Sequence, residues 1–193
     1  MPSLRTLSVS LVLSLPAVVL AQGTIPLKEE QIAAAVLPLP SEQRASARVL
    51  GYDAQGKLVT LREGKEMVCL ANDPKKKNIH VACYHESMEP FMARGRALRA
   101  SGVTGDQVDS VRFREVRAGT LKLPKGPAML YSLTGGAFNA RTGKTSGAEP
   151  LFVTYIPFAT SATSGLSEKP VVGAPWIMYA GTPKAHIMFT PSM

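Results

Sequence analysis

The sequence predicts an α+β protein in which an antiparallel sheet packs with two short helices. Short apolar runs with polar turns between Ala47 and Tyr84 predict a disulfide-clamped hairpin meander, and further runs near the C terminus predict additional strands. Two stretches of helical periodicity lie between these groups of strands. Hydrophobic residues make up 45% of the 193 residues, so we expect one domain over residues 47–193.

The first 21 residues have the composition of a signal peptide. Arg5 carries a positive charge, and a short apolar core over residues 11–20 precedes Ala21. This core is shorter than the roughly 20 apolar residues that a membrane-spanning helix requires. The sequence therefore predicts a soluble protein, secreted or periplasmic, with cleavage near Ala21 and no transmembrane segment in the mature chain.

A lead-in over residues 22–46 connects the signal peptide to the domain. It contains one short predicted helix, Leu27–Leu37, which Pro38 and Pro40 should end. Four strands are expected next, over residues 48–52, 57–62, 67–70 and 79–84. They are separated by polar turns at 53–56 and 63–65 and by a lysine-rich loop at 72–78.

The two cysteines of the chain, Cys69 and Cys83, lie on the third and fourth of these strands. If they face each other in an antiparallel pair, Leu70 opposes Ala82 and the turn falls on the polar loop. Opposed residues lie about 4.5–5.5 Å apart, within the range that a disulfide bridges. An even number of cysteines in an exported protein also favours pairing, so we predict a Cys69–Cys83 disulfide.

Two helices should follow the hairpin. For the first, Ser87 is the expected N-cap and Gly102 the stop, and the apolar positions recur at helical spacing: Met88, Phe91, Met92, Gly95 and Leu98. The second is predicted over residues 106–118, with a capping box formed by Thr104 and Gln107. Its residues 111–114 also alternate as a strand would, so both interpretations stay open.

The C-terminal third is expected to return to strands. These cover residues 128–133, 151–156, 176–179 and 186–189. Two long polar connections separate them, over residues 135–149 and 159–175, and loops of this length are often functional.

Positive charge is concentrated in one part of the chain. The formal net charge is +8, and residues 94–125 carry eight bases against three acids. Such a cluster favours an anionic envelope component or another envelope protein as partner. The candidate surface consists of Arg94, Arg96, Arg99, Arg112, Arg114 and Arg117. The alternative is a solvated basic face that aids solubility. Nucleic acid is not expected, because Phe113 alone supplies a stacking aromatic in this stretch.

A metal centre was the sharpest chemical alternative. His80 and His85 are the candidate ligands, and they lie close to Cys83, Met88 and Met92. The stretch from Cys83 to Met88 resembles the cysteine–histidine–methionine loop of the cupredoxins, but with shorter spacings. Because a disulfide sulfur cannot act as a thiolate ligand, we predict neither a metal centre nor a cofactor.

These observations favour an exported, non-enzymatic binding or structural module. The alternative is a small envelope hydrolase or metal-dependent enzyme that uses His85 or His186. No Gly-x-Ser-x-Gly elbow or other catalytic motif supports the alternative. The two classes differ in that an enzyme should bring a histidine and a carboxylate together in a cleft.

Overall fold

A computed structural model describes residues 25–189 of the chain, so the predicted signal peptide over Met1–Ala21 lies outside the described residues. Within them, the chain forms an eight-stranded, mostly antiparallel sheet with short helices on both faces. The predicted α+β class is therefore confirmed. No helix of this part of the chain is long and apolar enough to cross a membrane.

The observed elements agree closely with the predicted ones. The helices are α1 Lys28–Ala35, α2 Ser41–Arg44, α3 Glu89–Ala100, α4 Asp106–Arg117 and α5 Ser161–Ser164, and a 3₁₀ turn over Glu86–Met88 leads into α3. The strands are β1 Arg48–Tyr52, β2 Leu58–Arg62, β3 Met67–Leu70, β4 His80–His85, β5 Ala128–Thr134, β6 Ala137–Asn139, β7 Lys144–Ser146, β8 Glu149–Tyr155, β9 Trp176–Met178 and β10 His186–Phe189.

The sheet has the strand order β2-β1-β3-β4-β5-β8-β10-β9. It departs from a simple meander at one place, because β3 pairs with β1 in parallel instead of with β2. Gly64 makes this crossing possible, since a Cβ there would lie 2.3 Å from the carbonyl oxygen of Ser46. The predicted loop at 135–149 contains a separate hairpin, β6–β7.

The predicted disulfide is confirmed, together with its register. Cys69 pairs with Cys83 across β3 and β4, and Leu70 pairs with Ala82. Both cysteines are fully buried, and the Sγ atom of Cys83 lies 3.1 Å from the carbonyl oxygen of Ala35 in α1. The bridge therefore lies in the layer between the sheet and α1.

Two apolar layers cover the two faces of the sheet. On the α1 face, Ala35, Leu39 and Val49 pack around the disulfide. On the opposite face, Tyr84 and Met88 pack with residues from β1, β3, β5 and β8. The amide of Gln31 fastens α1 to the sheet: its Nε2 donates to the carbonyl of Tyr52 and its Oε1 accepts from the N–H of that residue.

Both predicted basic helices form, but their N termini differ from the prediction. The ring of His85, not Ser87, caps the 3₁₀ turn before α3 by accepting the N–H of Ser87. The predicted stripe of α3 is buried at Met88, Phe91, Gly95 and Leu98 and half-buried at Met92. In α4 the predicted capping box does not form, because Gly105 is the N-cap residue and offers no side chain.

Cys69→Ser should lower the free energy of unfolding by about 3 kcal/mol, the amount expected when a loop of about 15 residues is no longer closed. The double change of Cys69 and Cys83 to serine should lose about the same amount, because either change breaks the one bridge. Urea unfolding of the oxidised proteins measures the loss. In reductant, the free energy of unfolding of the wild type should fall towards that of the variants. A loss of stability in the double variant but not in Cys69→Ser would contradict the disulfide assignment.

Candidate functional site

A large groove lies beside the C-terminal half of α3. Its volume is about 940 Å³, and the β1–β2 and β3–β4 connections form its other walls. Apolar and aromatic side chains contribute the floor: Ile25, Tyr52, Leu58 and Leu70. Charged side chains at its margin are Asp73, Lys75, Arg96 and Arg99. The groove therefore combines an apolar interior with three cations and one carboxylate.

Arg96 is held in the groove wall by a compact ionic network. Its Nη2 donates to Oε1 of Glu89 at 2.7 Å, and its Nη1 donates to the hydroxyl of Tyr84 at 2.6 Å. The same Glu89 carboxylate binds Arg48 at 3.1 Å, so two guanidinium groups share one negative charge. Burial raises the pKa of Tyr84, which stays protonated and donates to Glu89. The network keeps one net positive charge next to the groove.

The opposite wall carries Lys75 and Asp73, next to Tyr52 of the floor. Lys75 is exposed, and its backbone N–H donates to Oδ1 of Asp73 in the β3–β4 connection. Burial, reinforced by the charge of Asp73, raises the pKa of Tyr52. The tyrosine ring is therefore a neutral part of the floor, and Lys75 and Arg99 supply positive charge on the two sides.

The six arginines of the candidate anionic surface differ in exposure and in pairing. Arg94 forms a bidentate pair with Glu115, which lowers the pKa of Glu115, and Arg96 is engaged by Glu89. Among the described residues, Arg99, Arg114 and Arg117 make no ion pair. The sequence-based surface therefore resolves into paired residues, solvated residues and one buried residue, Arg112.

Arg112 is not a surface residue, because only 3% of it is exposed. Its guanidinium stacks on the ring of Phe91 at 3.9 Å, donates to the Phe91 carbonyl at 3.2 Å and pairs with Asp109. A Cβ on Gly95 would lie 3.0 Å from its Nη1, so a glycine at this position lets α3 and α4 approach closely. Arg112 thus joins the two helices instead of contacting a partner.

Asp109 connects Arg112 to the C-terminal strands. Its second oxygen accepts from Nζ of Lys184 at 2.8 Å, and that ammonium lies 4.3 Å from the centre of the Tyr179 ring. Burial acts to raise the pKa of Asp109, but the bonds from Lys184 and Arg112 outweigh it and lower the pKa overall. The carboxylate therefore stays charged and fastens α4 to the segment before β10.

His186 lies beside this cluster and is 95% buried. Its Nδ1 is 2.7 Å from the carbonyl of Lys184, which can only accept, so Nδ1 carries the proton. The rings of Tyr155 and Tyr179 pack on it at 4.9 and 5.7 Å. Burial lowers the pKa of His186 and raises that of Tyr155 to about 12, so both side chains are neutral near pH 7.

The candidate metal ligands His80 and His85 are both exposed, on opposite ends of β4. His80 contacts the hydroxyl of Thr134 at 2.9 Å, and His85 contacts the hydroxyl of Ser87 at 2.8 Å. No cluster of three histidine, cysteine, aspartate or glutamate side chains with metal-binding geometry occurs among residues 25–189. The structure therefore does not bring these two histidines together.

A cavity of about 450 Å³ lies next to His85, and it bears on the enzyme alternative. It is lined by Arg48, His85, Ser87 and Glu89, among others. The ring nitrogen that contacts the Ser87 hydroxyl also accepts the Ser87 N–H, so this pair belongs to the cap of the 3₁₀ turn. Glu89 is bound to arginines and Tyr84, and within the described hydrogen bonds no carboxylate orients His85.

His186→Asn should flatten the dependence of stability on pH. Because the folded-state pKa of His186 is below its ordinary value, the stability that its neutral form contributes is complete above about pH 6.5. It is lost as the pH falls below 6.5 towards the folded-state pKa, since only the unfolded chain then takes up the proton. Asparagine keeps a donor for the Lys184 carbonyl without titrating. Urea midpoints measured from pH 7.5 to 5.5 give the slope of stability against pH. His80→Asn, which removes an exposed histidine, is the control. If His186→Asn has the same slope as the wild type, the assignment is contradicted.

The chain matches no protein family model, no curated protein and no solved structure.

Proposed function

We propose that this protein is an exported binding module that holds an anionic ligand with an apolar portion in the groove beside α3. The observation that carries the proposal is the combination of about 940 Å³ of space with an apolar floor and three cations at the margin. Cavities of about 300–1,000 Å³ with a mainly apolar lining and a few placed polar groups are typical of small-molecule sites.

The charge distribution favours an anion over a neutral ligand. Arg96 is fixed by Tyr84 and Glu89, so its charge is in position before a ligand arrives. Lys75 and Arg99 are exposed and can turn towards an anionic group without breaking an ion pair seen among the described residues. The single carboxylate of the lining, Asp73, leaves this site with a net positive charge.

The apolar floor favours a ligand with a hydrocarbon part. Tyr52, Leu58 and Leu70 are only half-buried in the structure, so a ligand in the groove would remove their remaining surface from water. Such burial contributes about 25 cal/mol for each Å² of apolar surface. An anionic amphiphile of the cell envelope satisfies both halves of the site, whereas a fully hydrated polyanion uses the charges alone.

Export is supported by the predicted signal peptide and by the disulfide, since structural disulfides persist mainly in oxidising compartments. The mass of the denatured protein from the exported fraction should equal the mass of residues 22–193 less two hydrogens. If the protein is found only in the cytoplasmic fraction, with the mass of the whole chain, export is contradicted.

The groove is tested with dodecyl phosphate below its micellar concentration, by titration calorimetry. Ala97→Glu places a carboxylate on an exposed position of the groove wall and should weaken binding about fivefold, because two like charges about 4 Å apart in water repel by about 1 kcal/mol. Ala33→Glu is the matched control: it is an exposed helical alanine of α1 outside the groove lining.

Binding should also fall as salt is added, because exposed charges are screened over about 8 Å at physiological ionic strength. Dodecyltrimethylammonium has the same chain with the opposite charge and should bind more weakly than dodecyl phosphate. Equal binding of the two amphiphiles, or equal losses in Ala97→Glu and Ala33→Glu, would contradict the proposed site.

A further inference from the structure

Two exposed aromatic residues lie at the same end of the sheet, outside the groove lining. Phe158 follows β8 and is 50% exposed, and Tyr179 follows β9 and is 45% exposed. Their loops are joined by backbone hydrogen bonds, from Phe158 to the Thr182 carbonyl and from Gly181 to the Ala159 carbonyl. The two residues therefore lie on loops that are held together at this end of the sheet.

The backbone at both residues has an unusual conformation. Phe158 has a φ of 65° and Tyr179 a φ of 54°, in the left-handed region that side chains other than those of glycine and asparagine rarely adopt. Each such residue costs on the order of 1 kcal/mol or more, and such positions cluster where a side chain serves a function. Folding here leaves about half of each residue in contact with water.

A lysine without an ion pair among the described residues lies close to Phe158. Lys125 lines the same cavity of about 290 Å³ as Phe158, together with Leu123 and Ile156. The ammonium of Lys184 lies over the Tyr179 ring but is paired with Asp109, so the free charge comes from the loop of Lys125. The loop that carries Lys125 also carries Lys122. The sequence from Val116 to Ala148 contains no aspartate or glutamate.

We infer that this end of the sheet, the Phe158–Tyr179 surface, docks on an anionic lipid bilayer. Aromatic rings insert at the boundary between headgroups and acyl chains, while lysines at the same level are attracted to anionic headgroups. A protein partner of the usual kind would require carboxylates opposite these lysines, whereas a bilayer supplies both the negative charge and the apolar layer. The inference is independent of the groove, whose lining contains neither ring.

The test uses sedimentation with vesicles of 70% phosphatidylcholine and 30% phosphatidylglycerol. The wild type should bind these vesicles, should bind pure phosphatidylcholine vesicles much more weakly, and should be released by salt. Phe158→Asn and Tyr179→Asn should each weaken binding about tenfold, the change expected when one aromatic ring no longer becomes buried. Asparagine accepts the left-handed backbone at both positions.

Val172→Asn is the matched control, because Val172 is a fully exposed apolar residue on the loop before β9. It should leave vesicle binding unchanged. Thermal unfolding checks each variant, and Phe158→Gly replaces Phe158→Asn if the latter is destabilised, since glycine adopts positive φ without cost. Lys125→Gln should lower binding to the anionic vesicles and reduce its salt dependence.

Absence of wild-type binding to the anionic vesicles, or equal losses in Val172→Asn and Phe158→Asn, would overturn the inference. Ala97→Glu should still sediment with vesicles, and Phe158→Asn should still bind dodecyl phosphate. Failure of the bilayer surface and failure of the groove are thereby distinguished.

Discussion

The ion pair between the buried Arg112 and the half-buried Asp109 is the interaction on which the arrangement of this protein depends. Arg112 holds α3 through the ring and carbonyl of Phe91, while Asp109 holds the segment before β10 through Lys184. Removing Asp109 would leave the buried Arg112 guanidinium without a counter-charge, and an uncompensated buried charge typically costs about 3–5 kcal/mol. The pair therefore fixes α4 between α3 and the C-terminal strands.

The groove beside α3 and the Phe158–Tyr179 surface both contain residues from elements that this ion pair holds in place. The groove wall belongs to α3, whose position follows from its contact with Arg112 across Gly95. At the other end, Tyr179 packs on Lys184 and His186, and Lys184 is bound to Asp109. One rigid cluster thus orients a candidate ligand site and a candidate bilayer surface relative to each other, and loss of charge at Asp109 would loosen both.

Local patterns predicted most of the fold, and non-local packing explains what they missed. The cysteine spacing fixed the β3–β4 register because opposed cysteines admit only one alignment of the two strands. The parallel pairing of β1 with β3 depends on the close approach of Gly64 to residues 46–48, which no periodicity reveals. Arg112 was expected at the surface because its charge suggested solvent, although it lies four residues after the buried Val108 on the same helical face. The groove arises between α3 and two distant connections, so its residues are not adjacent in the sequence.

The outer strands of the sheet have a consequence for the behaviour of the protein at high concentration. An open strand with free backbone groups is a template for pairing with another molecule, and this is how many β proteins aggregate. Here β9 is three residues long, and its Ile177 N–H already donates to the carbonyl of Ser167. At the other margin, the β1–β2 ladder has an irregular register between Val49 and Leu50, and Lys57 and Arg62 place charges at the two ends of β2. Both margins are thus poor templates for edge-to-edge pairing, so we expect the sheet of eight strands to resist this route to aggregation.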